Sequence, residues 1–373
     1  MISASQLKNT IIRDKNYLYK SFFSNYKYDF NFKDLKKFTK FKNFKIIGMG
    51  GSILGTKAIY SFLRDKIKKN FIFIDNLNQR YLKNIKKKYK SSNTLFLIIS
   101  KSGNTSETII NASFFNSNLK KSNVIIISEK TNNILSKYAN NNKFTFIKHN
   151  PFIGGRYSVF SEVGMLPAYL MGLNPLKFKK NLSKTINSKK IISNLIKEIL
   201  RLNLKKSKTL ILFNYVPELE DFLYWCQQLL AESLGKNKKG FIPIISNAPK
   251  DHHSLLQLYL DGPKDKIFYI FSYEGKNKLK INCKPFGNKI GYLNKKKFET
   301  VKKAQKRAFV EILKKNKTPF REIIIKNFNE DTLGKLFLLF ILETILLGKI
   351  MKINPYDQPA VEKVKVLTKN FLV

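Results

Sequence analysis

The chain has 373 residues, 43% hydrophobic and 13% aromatic, which is enough for two ordinary domains and too apolar for intrinsic disorder. Its 70 Lys and Arg against 25 Asp and Glu give a net charge of +45, but the lysines are spread along the whole length, with no basic tail, zinc-ligand spacing or aromatic-glycine signature. Lys, Asn, Ile and Phe are abundant together and share A- and T-rich codons, so a genome bias accounts for most of the charge; no nucleic-acid partner is expected, and part of the charge is left to attract anionic substrates.

Short β-type runs alternate with helical stretches from residue 44. The first series is Phe44–Gly48, Phe71–Asp75, Thr94–Ser100, Asn123–Ser128 and Phe144–Lys148, each nearly continuous in apolar residues, as strands covered on both faces are. A helix starting near Gly155 leads into the polar run Lys177–Lys190, which reads as a linker. A second series follows: Lys208–Phe213, Phe241–Ser246, Lys266–Tyr273 and Arg321–Lys326. A nearly all-apolar helix from Asp331 to about Met351 and a short C-terminal segment complete the chain. The order predicts an α/β fold of two tandem doubly wound sandwiches with mainly parallel sheets. The expected divisions are a helical extension over 1–43, a first α/β domain over 44–176, a second over 177–352 and a C-terminal helical segment over 353–373. Cys226 and Cys283 cannot form a disulfide framework, the N-terminus lacks a signal-peptide core, and Leu336–Leu347 is too short for a bilayer and holds Glu343. A cytoplasmic protein with no membrane partner is expected.

Ligands bind beyond the carboxyl ends of strands in such sheets, and three segments there are unusual. Gly48-Met49-Gly50-Gly51-Ser52-Ile53-Leu54-Gly55 follows the first strand, where glycines let backbone N–H groups approach an anion. A dinucleotide site competes with this, with Asp75 as a ribose acid, but the third glycine of G-x-G-x-x-G falls on Ile53. Ser100-Lys101-Ser102-Gly103-Asn104-Thr105-Ser106-Glu107 ends the third strand with four hydroxyls and a lysine around a glycine; Asn104 and Glu107 have N-cap spacing. Hydroxyls with free backbone N–H groups make a phosphate cradle. Gly154-Gly155-Arg156-Tyr157-Ser158-Val159-Phe160-Ser161 sets an arginine fork at a glycine-flanked helix start.

Together, GMGGSILG, SKSGNTSET and GGRYSVFSEVGMLPAYL resemble the phosphoglucose isomerase family, and the resemblance continues through AESLGK (231–236), HSLLQLYLDGP (253–263) and DQPAVEKVK (357–365). It implies a pair of sugar-isomerase (SIS-type) domains plus a C-terminal helix. It also implies reversible interconversion of glucose 6-phosphate and fructose 6-phosphate through a cis-enediol, with no metal or organic cofactor. By the family motifs Glu232 is the base that moves the proton between C2 and C1. His253, with Lys365 assisting, opens the sugar ring; the adjacent His252 is the alternative. Arg156 stabilises the enediolate. Ser100, Lys101, Ser102 and Thr105 hold the phosphate, and Gly51, Ser52 and Gln358 are further substrate contacts. The family histidine reaches into the partner subunit, so a homodimer is implied. Leu234, Ala360 and Lys363-Val364 depart from the family pattern. A dual-specificity phosphoglucose/phosphomannose isomerase and a non-catalytic sugar-phosphate regulator are the competing readings.

Overall fold

The computed structural model describes residues 17–202, 207–275 and 279–373. Residues 1–16 of the expected N-terminal extension lie outside these; Tyr17–Phe22, Phe32–Leu35 and Lys36–Phe38 form short helical turns.

Two parallel sheets carry the fold. The first contains β1 (Asn43–Gly48), β2 (Asn70–Ile74), β3 (Thr94–Ile99), β4 (Val124–Ser128) and β5 (Thr145–Lys148), in the order β2-β1-β3-β4-β5. The second contains β6 (Thr209–Asn214), β7 (Ile242–Asn247), β8 (Lys266–Tyr273) and β9 (Phe320–Ile325), in the order β7-β6-β8-β9. Every apolar run read from the sequence is a strand, to within a residue at each end. In β3 the whole strand is buried, because crossover helices cover both faces of a parallel sheet. In register, Phe44 lies beside Phe71 and Leu95, and Phe213 beside Ser246 and Ile270.

The helices that position the site are α1 (Leu54–Phe62) after β1, α2 (Ser106–Phe114) after β3, α3 (Glu162–Leu170), α4 (Lys189–Arg201), α5 (Glu220–Leu234) after β6, α6 (Phe298–Lys315), α7 (Glu330–Met351) and α8 (Val361–Leu372). α5 packs between the sheets against α1 and α7, with Phe222 and Trp225 against Phe337. The main core is therefore continuous: Ile46, Leu97 and Ile125 of the first sheet belong to the same apolar cluster as Leu210, Leu212 and Tyr269 of the second. The outer face of each sheet has a smaller cluster of its own.

α7 is apolar on all sides because it is buried on nearly all sides, and among the described residues no helix is long and apolar enough to cross a membrane. The run Lys177–Lys190, expected as a linker, is folded. Helical turns Pro175–Lys179 and Leu182–Asn187 and the start of α4 occupy it, burying Phe178, Leu182 and Ile186. Its lysines hid an amphipathic pattern, since only every third or fourth residue faces the core.

Candidate active site

The three unusual segments lie at the carboxyl ends of strands of the first sheet, and the first and third touch. After β1 the chain turns through Gly50, at φ +51°, into Gly51. A Cβ on Gly51 would lie 2.2 Å from the carbonyl carbon of Gly155 and 2.4 Å from the backbone nitrogen of Arg156. Glycine is required here because two backbones touch, one from each segment. Ser158 Oγ donates to Gly51 O at 3.3 Å, and Ser52 N–H closes the turn on Met49 O. Asp75 is ion-paired to Lys57 at 3.0 Å, so the acid considered for a ribose is already engaged.

The second segment is a closed loop. Ser100 Oγ and Thr105 Oγ1 are 2.8 Å apart, and Gly103 N–H donates to Ser100 Oγ at 3.2 Å. Gly103 has φ +67°, and a Cβ there would lie 1.9 Å from Asn133 Oδ1. The cap of α2 is Thr105, with no side-chain cap bond, rather than Asn104. Asn104 Oδ1 instead accepts from Ile134 N–H at 3.0 Å, at the start of a neighbouring helix, which leaves the first N–H groups of α2 without a side-chain cap. Ser102 Oγ accepts from Asn104 N–H at 3.3 Å. Lys101 donates to Pro151 O at 2.7 Å and lies 3.5 Å from Glu129, so in this state its ammonium is held outside the ring of hydroxyls.

Arg156 joins the third segment to the second sheet and the C-terminal region. Its side chain is 3% exposed. Nε donates to Ser233 Oγ (2.7 Å), Nη1 to Gln358 Oε1 (2.8 Å) and Glu232 Oε2 (3.3 Å), and Nη2 to Pro355 O (2.8 Å) and Asp357 O (3.0 Å). Tyr157 OH stands 2.9 Å from both Ser233 Oγ and Pro355 O, and burial pushes its hydroxyl pKa up. A planar fork with five N–H groups can serve five acceptors from two segments at once, which an ammonium cannot.

Glu232 is half-buried on the last turn of α5, and Gln228, one turn earlier, donates to its Oε1 at 2.8 Å. Gln228 itself sits where a Cβ on Gly50 would come within 2.5 Å of its Nε2, and its Oε1 is buried without a partner. Lys236 donates to Asp357 Oδ1 (2.6 Å) and Asp357 O (2.7 Å), and this bond holds the Asp357 carboxyl below its ordinary range. Gln228, Ser233, Tyr157 and Lys236 were not singled out from the sequence. Of these only Gln228, one turn before Glu232 on α5, had a local signal in its i, i+4 spacing.

The structure thus brings Arg156, Glu232 and Gln358 into direct contact, sets Gly51 against Arg156, and closes Ser100 on Thr105. Two residues stand apart. His253 is exposed on the short helix Lys250–Ser254. Its neighbour His252 is half-buried, shares a 2.8 Å hydrogen bond with Tyr215 OH and lies against Phe213, and burial lowers its pKa. Lys365 lies on α8, a helix with no buried residue, and pairs with Glu362 at 2.6 Å.

A profile of the phosphoglucose isomerase family matches residues 31–372. Glucose-6-phosphate isomerase of Methanocaldococcus jannaschii is 32% identical over 91% of this chain and 86% of its own. A hypothetical protein from Thermus thermophilus superposes with a TM-score of 0.85 at 21% identity, over 99% of this chain and 94% of its own. A glucose-6-phosphate isomerase from Chlamydia trachomatis superposes with a TM-score of 0.71 at 19% identity, over 98% of this chain and 73% of its own. With the family match running almost end to end and a relative 32% identical over most of both chains, the chain belongs to the phosphoglucose isomerase family.

Proposed function

We propose that the chain is a cytoplasmic glucose-6-phosphate isomerase that works as a homodimer. The observation that carries this reading is the contact of Arg156 with Glu232 and Gln358, which sets a carboxylate beside a buried cation. The phosphate of the open sugar is held by Ser100, Ser102 and Thr105 with the first N–H groups of α2, and Lys101 turns in from Pro151. Gly51, Ser52 and Gln358 contact the sugar. Glu232, steered by Gln228, removes the C2 proton; electrons move to give the cis-enediol, and the same carboxyl returns the proton to C1. Arg156, a buried cation beside Glu232, stabilises the negative charge that develops on the enediolate oxygens. His253, supplied by the partner subunit, and Lys365 act on the ring oxygen and O1 to open the sugar. Both are exposed in a single chain, so the reading requires assembly to bring them in.

The test is isomerase activity on fructose 6-phosphate, wild type beside Glu232→Gln, with mannose 6-phosphate as a second substrate. Glucose 6-phosphate formation by the wild type, falling by roughly three or more orders of magnitude in the variant, supports the reading. A folded wild type that binds fructose 6-phosphate without turnover overturns it. Comparable turnover of mannose 6-phosphate would assign dual specificity instead.

A further inference from the structure

At the opposite end of the first sheet, three chain segments converge on a cavity of about 520 Å³. Lys37 and Lys40 come from the turn before β1, Lys120 and Lys121 from the turn before β4, and Lys143 from the turn into β5. No acidic residue lines the cavity, and none of these lysines takes part in an ion pair among the described residues. Like charges gathered around one concavity repel one another, and the field is focused into the space they share. Codon bias explains why the chain has many lysines, but not why lysines from three separate segments face one hollow.

The turns are held by specific contacts. Asn123 is buried; its Oδ1 accepts from Lys120 N–H at 2.7 Å, and its Nδ2 donates to Asn118 O at 3.2 Å and Ser91 O at 3.3 Å. Lys143 sits in the left-handed region at φ 53°, with its N–H on Asn140 O. Thr39, between Lys37 and Lys40, has its carbonyl bound by Lys69 Nζ at 2.8 Å. Phe144 adds a half-buried aromatic wall, and Ser122 and Thr145 add hydroxyls.

We propose that this cavity binds a small linear polyphosphate, either inorganic or as the tail of a nucleotide. One phosphate would engage only some of the five lysines that line it, and the volume is that of a small-ligand site rather than of a nucleic-acid groove. Lysine ammoniums on flexible stems match an extended chain of phosphates as point charges. The cavity lies at the amino edge of the sheet whose carboxyl edge carries the phosphate loop, about 20 Å away for a six-residue strand. Sugar phosphate and polyphosphate therefore bind together without competing. The inference does not depend on the isomerase reading.

The experiment is calorimetric titration of the full chain with tripolyphosphate, with and without saturating fructose 6-phosphate. The comparison variants are Lys120→Gln/Lys121→Gln/Lys143→Gln and a charge-matched control, Lys295→Gln/Lys296→Gln/Lys297→Gln, each checked for an unchanged circular dichroism spectrum. One-to-one binding that persists with fructose 6-phosphate, weakens roughly tenfold or more in the first variant and holds within about twofold in the control supports the site. Equal weakening in both variants shows diffuse charge only and overturns it, as do loss of binding with fructose 6-phosphate and absence of binding. A parallel ATP titration identifies the source: binding tighter than tripolyphosphate, reduced by Phe144→Ala, points to a nucleotide, and weaker binding to inorganic polyphosphate.

Discussion

Replacing Arg156 with lysine keeps the charge and removes the fork. The guanidinium donates to Ser233, Gln358, Glu232, Pro355 and Asp357, five bonds in all. A lysine ammonium has three protons at a single point, so at least two of these bonds are lost. Two of the acceptors keep a second donor, since Tyr157 OH donates to Pro355 O at 2.9 Å and Lys236 to Asp357 O at 2.7 Å, and Ser233 Oγ keeps the Tyr157 hydroxyl as a partner at 2.9 Å. The loss is therefore of hydrogen bonds from a charged donor, not of buried groups left bare. At about 1.5–3 kcal/mol per bond, two bonds give roughly 3–6 kcal/mol, and the surviving donors keep the expected loss near the lower end, about 3 kcal/mol. Urea unfolding of Arg156→Lys beside the wild type measures this, read at constant m. Activity on fructose 6-phosphate should fall about 10²–10³-fold in kcat/KM, the usual cost of removing a donor aimed at developing charge. Ser233→Ala made in both backgrounds should show a coupling of about 1 kcal/mol, because the two side chains touch at 2.7 Å. A variant within about 0.5 kcal/mol of wild type and within about threefold in kcat/KM would refute the idea that the fork organises the site.

Gly51→Ala should cost more than about 3 kcal/mol or abolish activity, since its Cβ would strike the Gly155–Arg156 backbone; folded protein at wild-type activity would contradict the close approach. His149 is 1% exposed with its pKa pushed down to about 4 by burial, so the unfolded chain binds a proton that the folded chain refuses between about pH 6.5 and 4. Stability should fall on acidification through that window by about 3 kcal/mol from this group, and His149→Leu should remove that slope from urea midpoints measured at pH 7 and pH 4.5. Co-refolding inactive Glu232→Gln with inactive His253→Ala should restore about a quarter of wild-type activity, because half of randomly assorted dimers are mixed and each mixed dimer has one complete site. Dimers that assort but recover nothing would place His253 within its own subunit's chemistry or outside it altogether.

The strands were legible because a parallel strand covered on both faces must be apolar almost throughout, and β3, Thr94–Ile99, is the plainest case. The glycines at 51 and 103 and the hydroxyl cluster were legible for a related reason, since backbone contact and anion binding demand particular residue types. Four features were not. The turns over 175–187 were hidden by their lysines, of which Lys177, Lys180 and Lys184 face solvent while Phe178 and Leu182 face inward. Asn104 has N-cap spacing to Glu107 but turns to the helix beginning at Ile134, a tertiary contact that no local pattern encodes. Gln228 and Ser233 are ordinary helix residues until α5 is placed against the Arg156 turn; their roles exist only in three dimensions. The shared core was also unreadable, because apolar periodicity says that a face is buried and not against what.

The proposed catalytic groups differ in how firmly one chain holds them, and the difference follows their tasks. Proton transfer between C2 and C1 needs the carboxylate and the cation fixed before the sugar arrives, and Arg156 is buried with every arm of its fork engaged. Ring opening acts on the sugar's outer oxygens, and the residues assigned to it, His253 and Lys365, are at the surface. α8 makes the point most clearly. It is 12 residues long and buries none of them, while Val364, Leu367 and Phe371, at 67%, 53% and 85% exposed, form a stripe at helical spacing. A helix of that length is marginal in water on its own, so packing against another surface has to stabilise it. On the homodimer reading that surface is supplied by assembly, and covering the stripe fixes the face that carries Lys365. Assembly then completes the site and stabilises α8 in a single step, and an isolated subunit would be expected to bind the sugar phosphate while opening its ring slowly.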